Sequence, residues 1–272
     1  MNKREYVDRL GASIDDPGEL FEHFQRRSLA AGPAHVLPSD RHGIERGTVI
    51  LPGDDVIVRG YPSIPRVLVI DPGIRRFFGD DSSIAIEEKL DGANVRIVQA
   101  GEAFAFTRSG LICPFTTARA RELLDLDGFF AAHPEAMLCA ELIGPESPYT
   151  RTAYESVEST DLQVFDIRDR ESGEPLPVAE RRAHCERFGF SQPPCFDVVS
   201  PDDAVARVRE VITDLDEAGR EGIILRSADA RNLLKYTTKS QHHDELAFAF
   251  GMPFDHGQEF LFSRILREGF QA

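Results

Sequence analysis

The segment Glu87 to Ile97, EEKLDGANVRI, places a lysine, a carboxylate two residues on and then a glycine in a short polar break between two apolar runs. Lys89 stands out because the chain has four lysines against 27 arginines. A surface charge is met elsewhere by arginine, so Lys89 points to a need for an amine. A deprotonated amine is a good nucleophile toward phosphorus, and the phosphoramidate it forms is labile enough to pass its group onward. A guanidinium stays protonated and cannot do this. In extended chain, residues 89 and 91 share a face, as do 94 and 96, so Lys89 and Asp91 can reach one site while Glu88 points away. The same pattern, read alone, fits a strand-edge Lys89 paired with Asp91 across a hairpin. The acidic neighbours stabilise the ammonium, so a nucleophilic Lys89 requires desolvation and a divalent cation nearby.

The elements that must position these residues are legible in outline. IAIEEK, ANVRIVQA and AFAFTRSG read as strands of an antiparallel meander, with Gly92 permitting the turn between the first two. TTARARELLDLDGFFAAH, at 116–133, has helical spacing, and MLCAELIG and DLQVFDIRD read as strands. VAERRAHCERFGF and PDDAVARVREVITDLDEAG read as helices, the second with Asp202 or Asp203 favouring its dipole. EGIILRS and NLLKYTT close the region as strands. Upstream, EYVDRLGASIDDPGELFEHFQRRSLA supplies two short amphipathic helices, and GTVILPGDDVIVRGYPSIPRVLVI supplies strands punctuated by Pro and Gly, with Asp54 and Asp55 as turn carboxylates. Strands and helices intersperse without strict βαβ alternation, which predicts an α+β fold with antiparallel sheets. The expected organisation is a mixed N-terminal module at 1–75, a main domain at 76–240, and the start of a helical segment at 241–272.

Five short elements recur in order along the predicted strands: K-x-D-G at Lys89, E-L-I-G from Glu141, F-D-I from Phe165, E-G-I-I-L-R from Glu221 and L-K-Y around Lys235. Together they resemble the covalent nucleotidyltransferase superfamily of ATP-dependent DNA and RNA ligases and mRNA-capping enzymes. The longer segments FTRSGLICPFTT and PFDHGQEFLFSRILREGF narrow the likeness to the archaeal-type, homodimeric ATP-dependent RNA ligases, over about 45–272. That resemblance implies a nucleotidyltransferase (adenylylation) domain in which Lys89 takes AMP from ATP and passes it to an RNA 5′-phosphate. Attack by an RNA 3′-hydroxyl then seals the ends, circularisation included. It assigns Glu87, Arg96, Arg108, Glu141, Phe165 and Lys235 to the nucleotide: Arg108 on the nucleotide or the RNA 5′ end, Glu141 on the ribose hydroxyls, Phe165 on adenine and Lys235 on the α-phosphate. Glu221 is assigned to the metal, magnesium or manganese in its place. Asp91, Gly92, Asp166, Arg226 and Lys239 support the site. Ordinary core packing for Phe165 and a solvated strand position for Arg108 compete with these roles. The last element departs from many ligases, because Thr237 stands where a second lysine is common.

Composition limits the rest. A formal charge of −15 excludes a protein that grips nucleic acid with its whole surface, so RNA contacts require a local arginine patch. No long apolar run or signal-like N-terminus is present, which predicts a cytoplasmic protein with no membrane partner. Cys113, Cys139, Cys185 and Cys195 form no C-x-x-C pair and read as reduced thiols. The HHDE run at 242–245 reads as the opening of a solvated helix ahead of a metal site. Alternatives are the same first step with another acceptor, nicked DNA or a GTP-derived RNA cap, and an RNA-end-binding module that does not seal. The third is motivated by a C-terminal segment shorter than that of the resembled ligases, which touches the dimerisation region.

Overall fold

The structure, a computed structural model, describes residues 2–238 apart from 13, 68, 69, 80 and 151. The expected segment 241–272, Lys239 and the HHDE run lie outside the described residues. The described chain forms seven helices and twelve strands in three four-stranded sheets, an α+β arrangement as expected. It divides into two compact units, each described by itself below. None of its helices is long and apolar enough to cross a membrane.

The first unit comprises the residues up to Ser63 with Gly92–Leu176 and Glu180–Gln192. It opens with α1 (Lys3–Arg9), capped by the Asn2 side chain, and α2 (Pro17–Glu22), where Asp16 caps and Pro17 occupies the first turn. A sheet follows in the order β1 (Gln25–Leu29), β2 (Gly32–Val36), β3 (Val49–Leu51) and β4 (Val56–Val58). The segment QRRSL, read as the tail of a helix, is instead β1 and pairs along its whole length with β2. Asp55, in the β3–β4 turn, accepts from Tyr6 Oη and Arg9 Nη1, each at 2.8 Å, so this turn carboxylate anchors α1.

The second sheet of this unit has the order β7-β6-β8-β9, built from β6 (Ala93–Ala100), β7 (Glu102–Thr107), β8 (Ala136–Ile143) and β9 (Asp161–Asp169). Apolar residues of these strands pack against one helical layer through Ala120, Leu124, Leu126, Phe129, Phe130 and Cys185. The helix expected at 116–133 is two helices, α4 (Pro114–Leu123) and α5 (Leu126–Ala132). Asp125 caps α5 by accepting from Gly128 N, and a cap demands non-helical backbone at that position. α6 (Val178–Phe188) covers its end of the sheet through Cys185.

The second unit comprises Ile64–Asp91, Pro177–Ala179 and the described residues from Pro193 on. Its sheet runs β10-β5-β11-β12: β5 (Ile84–Lys89), β10 (Cys195–Val199), β11 (Gly222–Ser227) and β12 (Leu233–Thr237), all neighbours antiparallel. α3 (Ile70–Phe78) and α7 (Pro201–Glu217) cover it. Ser200 caps α7 and Asp202 and Asp203 fill its first turn, and the helix buries Ala204, Val208, Val211, Ile212 and Leu215 at helical spacing. Two elements of this unit escaped the sequence reading. Ile70, read as the end of a strand, instead opens α3, which runs on through Asp-Pro-Gly because Pro72 sits in the first turn where no backbone N–H is required. β10 is masked by the two prolines before it and contributes an edge strand with no strict alternation.

The expected meander from β5 into β6 is corrected: the two strands belong to different sheets. Residues 90–92 carry the chain from one to the other. Gly92 is required here for space, since a Cβ would lie 2.5 Å from the Leu142 carbonyl oxygen.

Candidate active site

In the second unit the site is built on the shared edge of β5 and β11. Their register sets Lys89 opposite Gly222, so the last residue of β5 meets the first residue of β11. Lys89 Nζ forms an ion pair with Glu221 Oε1, and the two side chains are 21% and 20% exposed. The lysine thus pairs with Glu221. Burial pushes the Glu221 carboxyl above its ordinary value, and Asp91 acts the same way while Lys89 and Lys235 oppose it. Asp91 and Lys235 therefore lie within electrostatic reach of the Lys89–Glu221 pair. β12 contributes Lys235, opposite Ile224 of β11, and Lys235 N donates to the Pro65 carbonyl at 2.9 Å.

Glu87, expected on the nucleotide, lies inside the sheet. It accepts from Arg226 Nε at 2.7 Å, with each side chain 2% exposed. Arg226 is thereby placed in the same unit as a buried counter-ion that ties β11 to β5, two residues before Lys89. Glu88 points to the other face, as alternation predicts, where burial raises its carboxyl and Arg220 Nε approaches to 3.6 Å. Thr237 is buried and carries no charge into the site.

In the first unit, cross-strand registers align Asn94, Glu141 and Gln163 on β6, β8 and β9. The Asn94 Oδ1 atom is buried and accepts no hydrogen bond. Next to this row a β-bulge sets Cys139 against Asp166 and Ala140 against Val164, so Phe165 is the extra residue between them. Bulges re-aim a side chain in this way. The Phe165 ring meets Tyr61 edge-on at 5.3 Å, and its carbonyl accepts from Arg181. Tyr61 Oη donates to Asp166 Oδ2 at 3.0 Å, the same oxygen accepts Arg168 Nε at 2.8 Å, and the Arg168 guanidinium lies 4.9 Å over the Tyr61 ring. Asp166 is the centre of a buried bracket behind Phe165. Tyr61, Arg168 and Arg181 were absent from the sequence reading, and an isolated tyrosine in a Pro-rich loop gives no periodic signal that would have found them.

Arg96, expected on the nucleotide, is fully buried. Its guanidinium donates to the carbonyls of Arg59, Gly47 and Thr107 at 2.6, 3.0 and 2.7 Å, and burial lowers it to about 10. Arg96 is a strut that binds β6 to the loop before β3, the loop after β4 and the end of β7. Arg108 is exposed on the loop after β7, donating to Ser63 Oγ at 3.3 Å. All four cysteines are free thiols, three of them buried. No cluster of three or more His, Cys, Asp or Glu side chains suited to a metal occurs among the described residues.

Lys89 at the end of β5 pairs with Glu221, the residue that precedes β11, on an antiparallel sheet, which is the arrangement expected from the resemblance to the covalent nucleotidyltransferase class. A profile of the RNA ligase family matches residues 82–237. The chain is 43% identical over 98% of its length to MJ0414, an uncharacterized protein of Methanocaldococcus jannaschii, and covers 69% of it. Two solved structures of an archaeal ATP-dependent RNA ligase, form 1 and form 2, match the whole chain at 38% and 39% identity, with TM-scores of 0.84 and 0.85, and 74% of each is covered. The chain belongs to the RNA ligase family.

Proposed function

We propose that this protein is an ATP-dependent RNA ligase in which Lys89 is the nucleophile. The observation that carries the reading is the Lys89–Glu221 pair at adjoining strand ends, with Asp91 and Lys235 in reach of it. Lys89 Nζ, having released a proton, attacks the α-phosphorus of ATP; the N–P bond forms as the P–O bond to pyrophosphate breaks, and the nitrogen's remaining excess proton passes to solvent. The RNA 5′-phosphate then takes the AMP from Lys89, and an RNA 3′-hydroxyl displaces AMP to form the phosphodiester. Lys235 supplies positive charge to the α-phosphate, where charge develops.

Glu221 and Asp91 are two hard oxygen donors, too few for an all-protein cage. They suit a magnesium ion that completes its shell with water and phosphate. Bound there, magnesium neutralises phosphate charge. Glu221 would hold the cation, and a carboxylate so engaged would stabilise a neighbouring ammonium less.

In the first unit Glu141 accepts from ribose hydroxyls, and the unsatisfied Asn94 Oδ1 cross-strand from it supports a ligand hydroxyl at this row. Phe165 stacks on adenine, a role supported by its bulge and its edge-on contact with Tyr61. Arg108 serves the RNA 5′ end. Assembly as a homodimer follows from the resemblance and is read by light scattering.

The test is incubation with α-labelled ATP and magnesium. Wild type is expected to acquire a covalent label that Lys89→Ala lacks and that 5′-phosphorylated RNA discharges. A label that persists in Lys89→Ala, or none in wild type, would sink the assignment. Nicked DNA and labelled GTP offered in parallel read the acceptor and the nucleotide.

A further inference from the structure

Five large hydrophobic side chains are exposed among the described residues, and four of them belong to the first unit: Leu111 at 45%, Phe115 at 39%, Leu123 at 37% and Tyr149 at 52%, with Leu111, Phe115 and Tyr149 around the start of α4. Chain geometry explains the clustering. After β7 the chain turns through 107–111, with Gly110 N donating to the Thr107 carbonyl, and returns along the strand through the Phe106–Ile112 bridge. It enters α4 at Cys113, which caps the helix by accepting from Thr116 N. The Cys113 thiol also meets Tyr149 Oη at 2.8 Å, so the loop after β8 brings its tyrosine to the start of α4, two residues from Phe115. The Tyr149 ring is thus held in the open by its hydroxyl contact with Cys113, and Phe115 is exposed in the first turn of α4.

The charge around them selects an occupant. From Ala103 to Arg121 the sequence has three arginines and no acidic residue, in a chain with 46 acidic and 31 basic residues. Arg119 and Arg121 are paired with Glu122 and Glu102, and Glu146, before Tyr149, accepts from Ser159 Oγ. Arg108 has no carboxylate partner among the described residues. Two exposed aromatic side chains at the start of α4, with the exposed Arg108 on the turn that leads into it and the nearby carboxylates Glu102, Glu122 and Glu146 already engaged, suit a polyanion with flat apolar faces. Single-stranded nucleic acid has both, its bases stacking on aromatic rings while its phosphates meet arginine.

We propose that Phe115 and Tyr149 form a stacking platform for unpaired bases of the RNA strand near the end to be joined, with Arg108 taking an adjacent phosphate. This rests on the RNA ligase reading above and adds to it the surface that holds the strand. Tyr149 serves by its ring, while its hydroxyl holds the ring in place through Cys113.

The experiment measures binding of a 5′-phosphorylated, fluorescein-labelled 12-mer RNA by anisotropy, for wild type, Phe115→Ala, Tyr149→Ala and Tyr149→Phe, with far-UV circular dichroism confirming the fold of each. Each alanine variant is expected to weaken binding by about five-fold or more, since stacking contributes that much per base. Tyr149→Phe is expected to bind within about two-fold of wild type, which keeps the ring. An RNA with abasic sites at the stacked positions is expected to bind wild type as weakly as intact RNA binds the alanine variants, with little further loss when the two are combined. Alanine variants that bind intact RNA like wild type would overturn the platform. So would variants that change the oligomeric state in light scattering and leave RNA affinity intact, which would make the patch a contact between copies of the chain. Label transfer from ATP to wild type, run alongside, tests the ligase reading by itself: a labelled wild type with unaffected alanine variants overturns the platform alone, and an unlabelled wild type that binds no RNA overturns both.

Discussion

Replacing Arg226 with methionine removes one half of an ion pair whose members are each 2% exposed and whose Nε–Oε2 distance is 2.7 Å. The surviving Glu87 carboxylate is left buried in the sheet without its guanidinium. Breaking a buried pair in this way costs about 3–5 kcal/mol, most of it the penalty of the uncompensated charge. With a urea dependence of about 2–3 kcal/mol per molar for a chain of this size, the unfolding midpoint of the second unit is expected to fall by roughly 1–2 M. The chain has no tryptophan, so far-UV circular dichroism is the appropriate probe. Glu87→Leu combined with Arg226→Met removes both charges and is expected to recover most of the loss, because well-packed apolar replacements of buried ion pairs are commonly neutral or better. The reasoning is refuted if Arg226→Met unfolds within about 1 kcal/mol of wild type, or if the double variant falls as far as the two single losses combined. Because Glu87 lies two residues before Lys89 on β5, Arg226→Met should also slow labelling by ATP under conditions where the protein remains folded.

Tyr61→Ala removes the ring against Phe165 and the hydroxyl on Asp166, so the KM for ATP in the labelling reaction is expected to rise several-fold; Tyr61→Phe keeps the ring and loses one hydrogen bond of about 1 kcal/mol, giving a smaller rise. An unchanged KM in Tyr61→Ala would remove Tyr61 from the support of the nucleotide. The Glu88 carboxyl is raised by burial above 4.5, so the folded protein holds this proton more firmly than the unfolded chain does. Its contribution to stability is full below pH 4.5 and is lost as pH rises through the raised folded value. Glu88→Gln should therefore be more stable than wild type at pH 7–8, with the difference vanishing toward pH 4.5, as read by thermal melts across pH; the opposite slope would contradict the burial argument. Gly92→Ala places a Cβ 2.5 Å from the Leu142 carbonyl oxygen, and a melt is expected to show a loss of about 1–3 kcal/mol; a neutral outcome would mean the β6–β8 contact yields freely.

The chemistry was legible in the sequence because it depends on residue type. A lysine kept in an arginine-rich chain, followed in order by Glu141, Phe165, Glu221 and Lys235 on strand-like runs, carried the family and marked Lys89 as the candidate nucleophile. Strand and helix periods placed most elements for the same reason, since alternation and helical spacing are local properties of the chain. Partner choice was not legible. Glu87 and Arg226 are 139 residues apart, and nothing in EEKLDG distinguishes a carboxylate aimed at a ligand from one aimed at a guanidinium on the next strand. Arg96 read as a site residue because alternation assigns a face and leaves open whether that face is solvent or a nest of backbone carbonyls. The break between β5 and β6 was likewise invisible, because a turn through glycine looks the same whether the strands on either side pair or enter different sheets. The sequence by itself determined which groups are available to react and roughly where along the chain they lie. Only tertiary structure decided that Lys89 faces Glu221, that Glu87 is bound to Arg226, and that a bulge turns Phe165 toward Tyr61, since each of these depends on strand registers set by packing between distant segments.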